Sequence, residues 1–256
     1  MVSANKQIVL VTGASRGIGA EVARQLASPD RHVLINYREK AERAQAVAED
    51  ITAAGGHASI VQADLSNEQE RDAMLTGIQH QHGPLDVLIL NASGGLERGA
   101  DPGYPMRINR DAQVHLTQSA LPLMRQGGRI VFVTSHQAHF HGRKPVPAEY
   151  IPIAESKRAG EDALRAMEPA FARTRAGFVV VSGDMIDGTI IVRLLERRNP
   201  DAVTARRSHG DLPSIEQFAS AIVAATHEPH ASGDTIYVGG QDYLTASHTA
   251  SCCDDQ

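Results

Sequence analysis

The stretch that decides the fold is Ile8-Val9-Leu10-Val11-Thr12-Gly13-Ala14-Ser15-Arg16-Gly17-Ile18-Gly19. A short β-branched-rich apolar run, Ile8 to Val11, breaks at a glycine turn. A helix opens near Gly17 and continues through Val22 to Ala27. Gly13 suits the positive φ of a tight turn. Gly17 and Gly19 let backbone approach a pyrophosphate and let the helix pack closely on a sheet. The spacing is G-x-x-x-G-x-G, weak by itself; strand before and helix after give it meaning. Gly13, Ser15, Arg16, Gly17, Ile18 and Gly19 are therefore candidate dinucleotide-binding residues.

The same unit repeats outward from there. Apolar runs recur at Val33–Ile35, Ile60–Val61, Val87–Leu90, Ile130–Val133, Phe178–Val181 and Thr235–Val238. Helical segments are expected at Ala41–Ala54, Glu68–Gln79, Arg110–Met124, Ser156–Met167 and Ile215–Ala225. Strand–helix alternation argues for βαβ units, a parallel sheet and helices on both faces. The runs are continuously apolar rather than alternating, as strands buried on both sides should be. One domain spanning 1–256 is the expectation, since no linker or repeat interrupts the pattern. Two stretches fit poorly, His136 to Pro152 and Gly183 to Pro213. Both are polar, rich in Gly, Pro and His, and read as long loops at the carboxyl ends of strands, where ligands bind.

Composition narrows the class of partner. Hydrophobic residues are 42% and charged residues 21%, which excludes a disordered chain. Lys and Arg total 25 against 30 Asp and Glu, a net charge of -5, so no basic field favours nucleic acid. Aromatics are 4% with no Trp, which disfavours stacking on single-stranded bases. No run is long and apolar enough for a membrane helix, and the start carries no signal-peptide pattern. The only cysteines, Cys252 and Cys253, are adjacent, so neither a disulfide framework nor a cysteine zinc site is expected. These features point to a cytoplasmic protein without nucleic-acid or membrane partners, and no metal is expected.

Several further residues resemble the short-chain dehydrogenase/reductase family along the whole chain. Asp64-Leu65 resembles its adenine contact, and Leu90-Asn91-Ala92-Ser93 its Asn-Asn-Ala-Gly motif with two positions changed. Asn109 matches its helix Asn, Thr134-Ser135 its catalytic Ser, and Ser156-Lys157 the start of its next helix. Gly183-Asp184-Met185-Ile186, with Thr189 beyond, takes the place of the Pro-Gly nicotinamide loop. The resemblance implies a Rossmann-type doubly wound sheet of about seven strands. It implies a carbonyl–alcohol oxidoreductase acting on a small molecule, and assembly as a dimer or tetramer. It also implies that Lys157 holds the nicotinamide ribose.

The second strand ends Asn36-Tyr37-Arg38, with no carboxylate until Glu39. An acid there would bind the 2′-hydroxyl of NAD, whereas arginines grip a 2′-phosphate. Arg38 and Arg16 therefore favour NADP(H) over NAD(H), with Asn36 beside them.

The departure lies in the acid. The family places a Tyr four residues before Lys157; here that residue is Ile153. The nearest Tyr is Tyr150, seven residues before Lys157, about 10.5 Å away along a helix axis. Pro152 biases Ile151 away from the helical region, which puts Tyr150 in a preceding loop. The expected catalytic set is Ser135, Tyr150, Lys157 and Asn109. His136, His139, His141, Asp184 or a hydroxyl of the substrate are the other proton sources. The competing reading is a non-catalytic NADP(H) sensor or scaffold, and a third, by analogy within the family, is reduction of a carbon–carbon double bond.

Overall fold

The computed structural model describes residues 6–95, 101–208 and 210–245; Cys252 and Cys253 lie outside them. Seven parallel strands form one sheet in the order β3-β2-β1-β4-β5-β6-β7. They are β1 (Gln7–Val11), β2 (Arg31–Tyr37), β3 (His57–Gln62), β4 (Leu85–Leu90), β5 (Met124–Ser135), β6 (Gly177–Gly183) and β7 (Thr235–Val238). Helices α1 (Gly17–Gln25), α2 (Ala41–Ala53), α3 (Glu68–His82) and α5 (Ala112–Ala120) fill the first half's crossovers, with a short α4 (Tyr104–Met106). The second half carries α6 (His136–His139), α7 (Ile151–Arg165), α8 (Glu168–Thr174), α9 (Ile190–Arg198), α10 (Pro200–Arg207), α11 (Ile215–Ala225) and α12 (Gln241–Thr245).

Strand alternation sorts the core into two layers. Val9, Val11, Ile35 and Val131 face α1, α2 and α11 with Val22, Val47 and Phe218. Leu10, Leu34, Leu88 and Phe132 face the other side with Leu75, Leu116 and Leu164 of α3, α5 and α7. The central runs Ile8–Val11, Val33–Ile35, Val87–Leu90, Ile130–Val133 and Phe178–Val181 are continuously apolar because both layers bury them. Strand order reverses between β1 and β4, so the crevice opens where the loops after those strands diverge.

The structure corrects three expectations. Ile151 is helical (φ -52°, ψ -49°), and Tyr150 lies in a 3-10 turn, Ala148–Tyr150, that runs straight into α7. Proline in a first helical turn removes an N–H that has no partner anyway, and this outweighs the bias on the residue before it. The stretch from 183 to 213 is not a loop but holds α9 and α10, begun by the caps Thr189 and Asn199. The helix expected from Arg110 starts earlier and contains a π-turn, Arg107–Asp111.

Candidate active site

The glycine turn is built from both sides. Gly13 sits at φ +62°, and a Cβ there would lie 2.9 Å from the Ala92 Cα, so no side chain fits. Thr12 Oγ1 donates to the Ile89 carbonyl (3.0 Å) and accepts from the Asn91 and Ala92 amides (2.9 and 3.0 Å). Asn91 Nδ2 donates to the Thr12 carbonyl (2.9 Å). Asn36 Oδ1 accepts from the Gly13 amide (3.1 Å) and its Nδ2 donates to the Ala63 carbonyl (3.3 Å). The Asn36 side chain is thus a buried brace under the turn, tying β2 and β3 to it.

Arg16 precedes α1 without a side-chain cap, and no atom lies within 4 Å of a Cβ built on Gly17. The turn is therefore open where a diphosphate would meet the first N–H groups of α1. Ser15 and Ile18 are half-buried beside it. This cradle fits a dinucleotide. Arg16 and Arg38 are exposed at its outer end. Arg38 Nη1 donates to the Tyr104 hydroxyl (2.6 Å) and its Nε pairs with Glu39 (2.9 Å). Glu39 therefore competes with any phosphate for that guanidinium. Asp64 Oδ1 accepts from the amide and hydroxyl of Ser66 (2.9 and 2.7 Å). Leu65 is buried, and Arg71 donates to its carbonyl (2.7 Å). Both residues shape the loop after β3. Ala92 is half-buried and Ser93 exposed after β4.

At the other end of the crevice, Ser135 closes β5 and caps α6, accepting from the Ala138 amide (3.3 Å). Its Oγ lies 3.2 Å from the Tyr150 hydroxyl. Burial raises the Tyr150 hydroxyl above its ordinary pKa, and the Ser135 bond offsets this in part. Lys157 lies on α7, about two turns beyond Tyr150. Burial pushes the lysine down to about 8. Asn109, on the π-turn, is buried; its Nδ2 donates to the Gly94 carbonyl and to Ser156 Oγ (both 3.0 Å), and its Oδ1 accepts from the Gly94 amide (3.2 Å). It clamps the loop after β4 to α7. Ile153 is buried against Tyr150 and Ala154, beside Gly95 and Pro105.

The alternative proton sources lie differently. His136 Nε2 donates to the Gly239 carbonyl (3.1 Å), so Nδ1 accepts from Ser182 Oγ (2.8 Å). Burial lowers its pKa, which keeps it neutral near pH 7. His139 lies between Glu161 (2.9 Å) and the Tyr237 hydroxyl (3.0 Å). Asp184 is held by an arginine. Its Oδ2 accepts from Arg206 Nε (2.8 Å) and Nη2 (2.6 Å). Gly183 packs on Phe218, Ile186 is buried in the core, and Thr189 caps α9.

Sequence reasoning missed Arg206 and the Glu161 network. Glu161 is fully buried and accepts from Arg165 Nε (2.9 Å) as well as His139. Burial alone would raise its pKa, but His139 and Arg165 more than offset this and hold it below the ordinary value. The only signal was Glu161–Arg165 spacing on one helix face.

Fold and site together define an α/β protein with a parallel seven-stranded sheet, an open glycine turn after its first strand and a Ser135–Tyr150 pair at the end of β5. Residues 7–193 match the family model for the short chain dehydrogenases, and the chain belongs to that family. It is 31% identical over 188 residues to a 1-cyclohexenylcarbonyl-CoA reductase of Streptomyces collinus, covering 71% of this chain and 65% of that protein. The match thus spans a little under two thirds of that relative's length. Among solved structures, an angucycline C-6 ketoreductase with bound NADP is 26% identical with a TM-score of 0.76, covering 93% of this chain and 96% of the other. A 3-oxoacyl-(acyl-carrier-protein) reductase from Agrobacterium tumefaciens C58 with NADP bound is 25% identical with a TM-score of 0.76, covering 93% and 95%.

Proposed function

We propose that this chain, as one domain, is an NADP(H)-dependent oxidoreductase that interconverts a small-molecule carbonyl and its alcohol, with Tyr150 as proton donor. The observation that carries the reading is the 3.2 Å contact between Ser135 Oγ and the Tyr150 hydroxyl. A substrate carbonyl oxygen placed against both hydroxyls accepts a hydrogen bond from Ser135 and, on reduction, the proton of Tyr150. A bound reduced nicotinamide would supply the hydride that the carbonyl carbon takes up. Lys157 binds the ribose and shares its proton with the crevice; a lysine at about 8 exchanges protons near neutrality far more readily than an ordinary one. Asn109 holds α7, and with it Lys157, against the loop after β4.

The uncapped α1 start and the turn Gly13–Gly19 support a diphosphate site, with Asn91, Ala92 and Ser93 beside it and Gly183, Asp184, Ile186 and Thr189 backing the nicotinamide end. Arg16 and Arg38 support the 2′-phosphate, and Asp64 with Leu65 the adenine edge. Two similar solved structures have NADP bound and another is in complex with NAD, so the choice between them rests on Arg16 and Arg38. Assembly as a homo-dimer or homo-tetramer in the cytoplasm belongs to the same proposal.

The test is NADPH consumption across ketones, aldehydes and quinones, together with binding titrations of NADPH and NADH. Turnover of a carbonyl compound and tighter NADPH binding are expected. NADPH binding without turnover of any compound would favour the sensor or scaffold, for which the tightly enclosed Tyr150 ring is the supporting observation.

A further inference from the structure

Tyr237 of β7 carries a hydroxyl that faces a base. His139 of α6 stands between that phenol and the carboxylate of Glu161 on α7. Both Glu161 oxygens lie 2.9 Å from His139 Nδ1, and the Tyr237 oxygen lies 3.0 Å from Nε2. An ionised carboxylate only accepts, so Nδ1 carries the proton between them. In the neutral ring Nε2 is then an acceptor, and the Tyr237 hydroxyl donates to it. Carboxylate, imidazole and hydroxyl in that order let an imidazole draw the proton from an attacking oxygen.

The three side chains are held from several sides. Burial pushes the Glu161 carboxyl up, but His139 and Arg165 more than offset it and keep the group ionised. Arg165 also ties α7 to the edge strand: Nη1 donates to the Gly233 carbonyl (2.6 Å) and Nη2 to Thr235 Oγ1 (2.7 Å). Arg158 Nη1 donates to the His139 carbonyl (2.7 Å). Phe140 stacks on the Tyr237 ring, with centroids 5.9 Å apart and planes at 15°. A phenol fixed against its base needs little rearrangement before reaction.

The arrangement runs from the core to the surface. The Glu161 side chain is fully buried and that of His139 is 8% exposed, whereas Tyr237 is 39% exposed. Tyr37 and Tyr150 are buried and Tyr104 is half-buried. The hydroxyl end is therefore the end that solvent reaches. Arg143 and Lys144 stand over Phe140, 5.4 and 5.1 Å from its ring centre. Positive charge near the phenol favours the negative charge that develops on an acyl oxygen under attack.

We infer that Tyr237 is a nucleophile that accepts acyl groups from activated esters, with His139 as its general base and Glu161 as the positioning residue behind it. The Tyr237 oxygen attacks the acyl carbonyl carbon while its proton passes to His139 Nε2. The bond from that carbon to the leaving oxygen then breaks, and the leaving oxygen takes the proton from His139. The products are an O-acyl tyrosine and a free alcohol or phenol, with no change of oxidation state. Neither Ser135 nor Tyr150 takes part, so this site and the carbonyl–alcohol reading fail separately.

The test is p-nitrophenyl acetate added to the full chain, with the acetyl group located by mass spectrometry. N-acetyltyrosinamide serves as the free phenol. At equal pH, Tyr237 should acetylate at least ~10²-fold faster than N-acetyltyrosinamide. The rate should fall in deuterium oxide, because a proton moves in the step. His139→Gln keeps a donor for Glu161 and removes the base. Its Tyr237 should acetylate within about threefold of the free phenol, with the deuterium effect reduced. Glu161→Gln keeps the base but removes the charge that orients it, and should lose ~10-fold or more. The sign separates the readings: a merely structural network, once loosened, exposes Tyr237 and quickens labelling, whereas a broken relay slows it. Wild-type labelling within about threefold of the free phenol would overturn the inference, as would labelling in His139→Gln as fast as in wild type or faster. The wild-type comparison needs no variant, so a substitution that fails to fold leaves the test intact.

Discussion

Gly160 of α7 faces the backbone of the π-turn so closely that a Cβ built on it falls 2.2 Å from the Asn109 carbonyl oxygen. Real Cβ atoms essentially never come closer than 3.0 Å, so Gly160→Ala must push α7 and the turn apart by at least ~0.8 Å. Two effects oppose each other. Alanine gains about 1 kcal/mol of helix propensity over glycine. Overpacking a tight contact costs ~1–3 kcal/mol, and here the neighbour is backbone, which yields poorly. Displacement also strains the 3.0 Å bond from Asn109 to Ser156, which leaves buried polar groups short of a partner at about 1–3 kcal/mol. The losses win, and a net destabilisation of roughly 1–3 kcal/mol is expected in urea unfolding. Because α7 carries Lys157 and continues the turn that holds Tyr150, activity should fall further, by about 10²-fold for a shift near 1 Å. A variant as stable as wild type would refute the reasoning, since the propensity gain would then have met no opposing contact.

Replacing Glu161 by Ala strips the buried carboxylate from Arg165 and His139, and a loss of ~3–5 kcal/mol in urea unfolding at neutral pH is expected; a loss under ~1 kcal/mol would show the network to be slack. His32 is held at about 4 against an ordinary 6.5, by burial first and then by His82, Lys6 and His57. Between those values the unfolded chain binds the extra proton, so stability is full above pH 6.5 and falls as pH drops towards 4. His32→Gln should flatten that part of the melting-temperature profile; an unaltered slope would contradict it. Arg38→Ala should raise the Kd for NADPH by ~10-fold or more while leaving NADH within about twofold, and an equal effect on both would remove Arg38 from the 2′-phosphate site.

The sheet was legible because its five central strands carry continuous apolar runs buried on both faces, a pattern that helices do not imitate at that length. The glycine turn was legible from the strand before it and the helix after it, whereas the contacts that demand Gly13 and Gly19, with Ala92 and Asn91, come from a distant part of the chain. Asn36 shows the limit of such reading. Its place at the end of β2 was evident, but its bonds to Gly13 and Ala63 come from three strands meeting in space. Pro152 disfavours helix at Ile151, which predicts a loop at Tyr150, but proline's tolerance in a first helical turn prevails and the 3-10 turn runs into α7. The helices α9 and α10 were missed although Thr189 and the Asn199-Pro200 pair announce both starts. The Asp184–Arg206 pair joins residues 22 apart in sequence, and no local pattern could reveal it.

The most direct measurement is turnover by Tyr150→Phe with whichever carbonyl compound the wild type reduces. Phenylalanine keeps the buried ring and removes only the hydroxyl, and Ser135 Oγ retains its bond from Ala138. Turnover should fall by ~10²–10⁴, with NADPH affinity within about twofold of wild type. Turnover within about threefold of wild type would show that the proton comes from elsewhere, and that the contact between Ser135 and Tyr150 is structural.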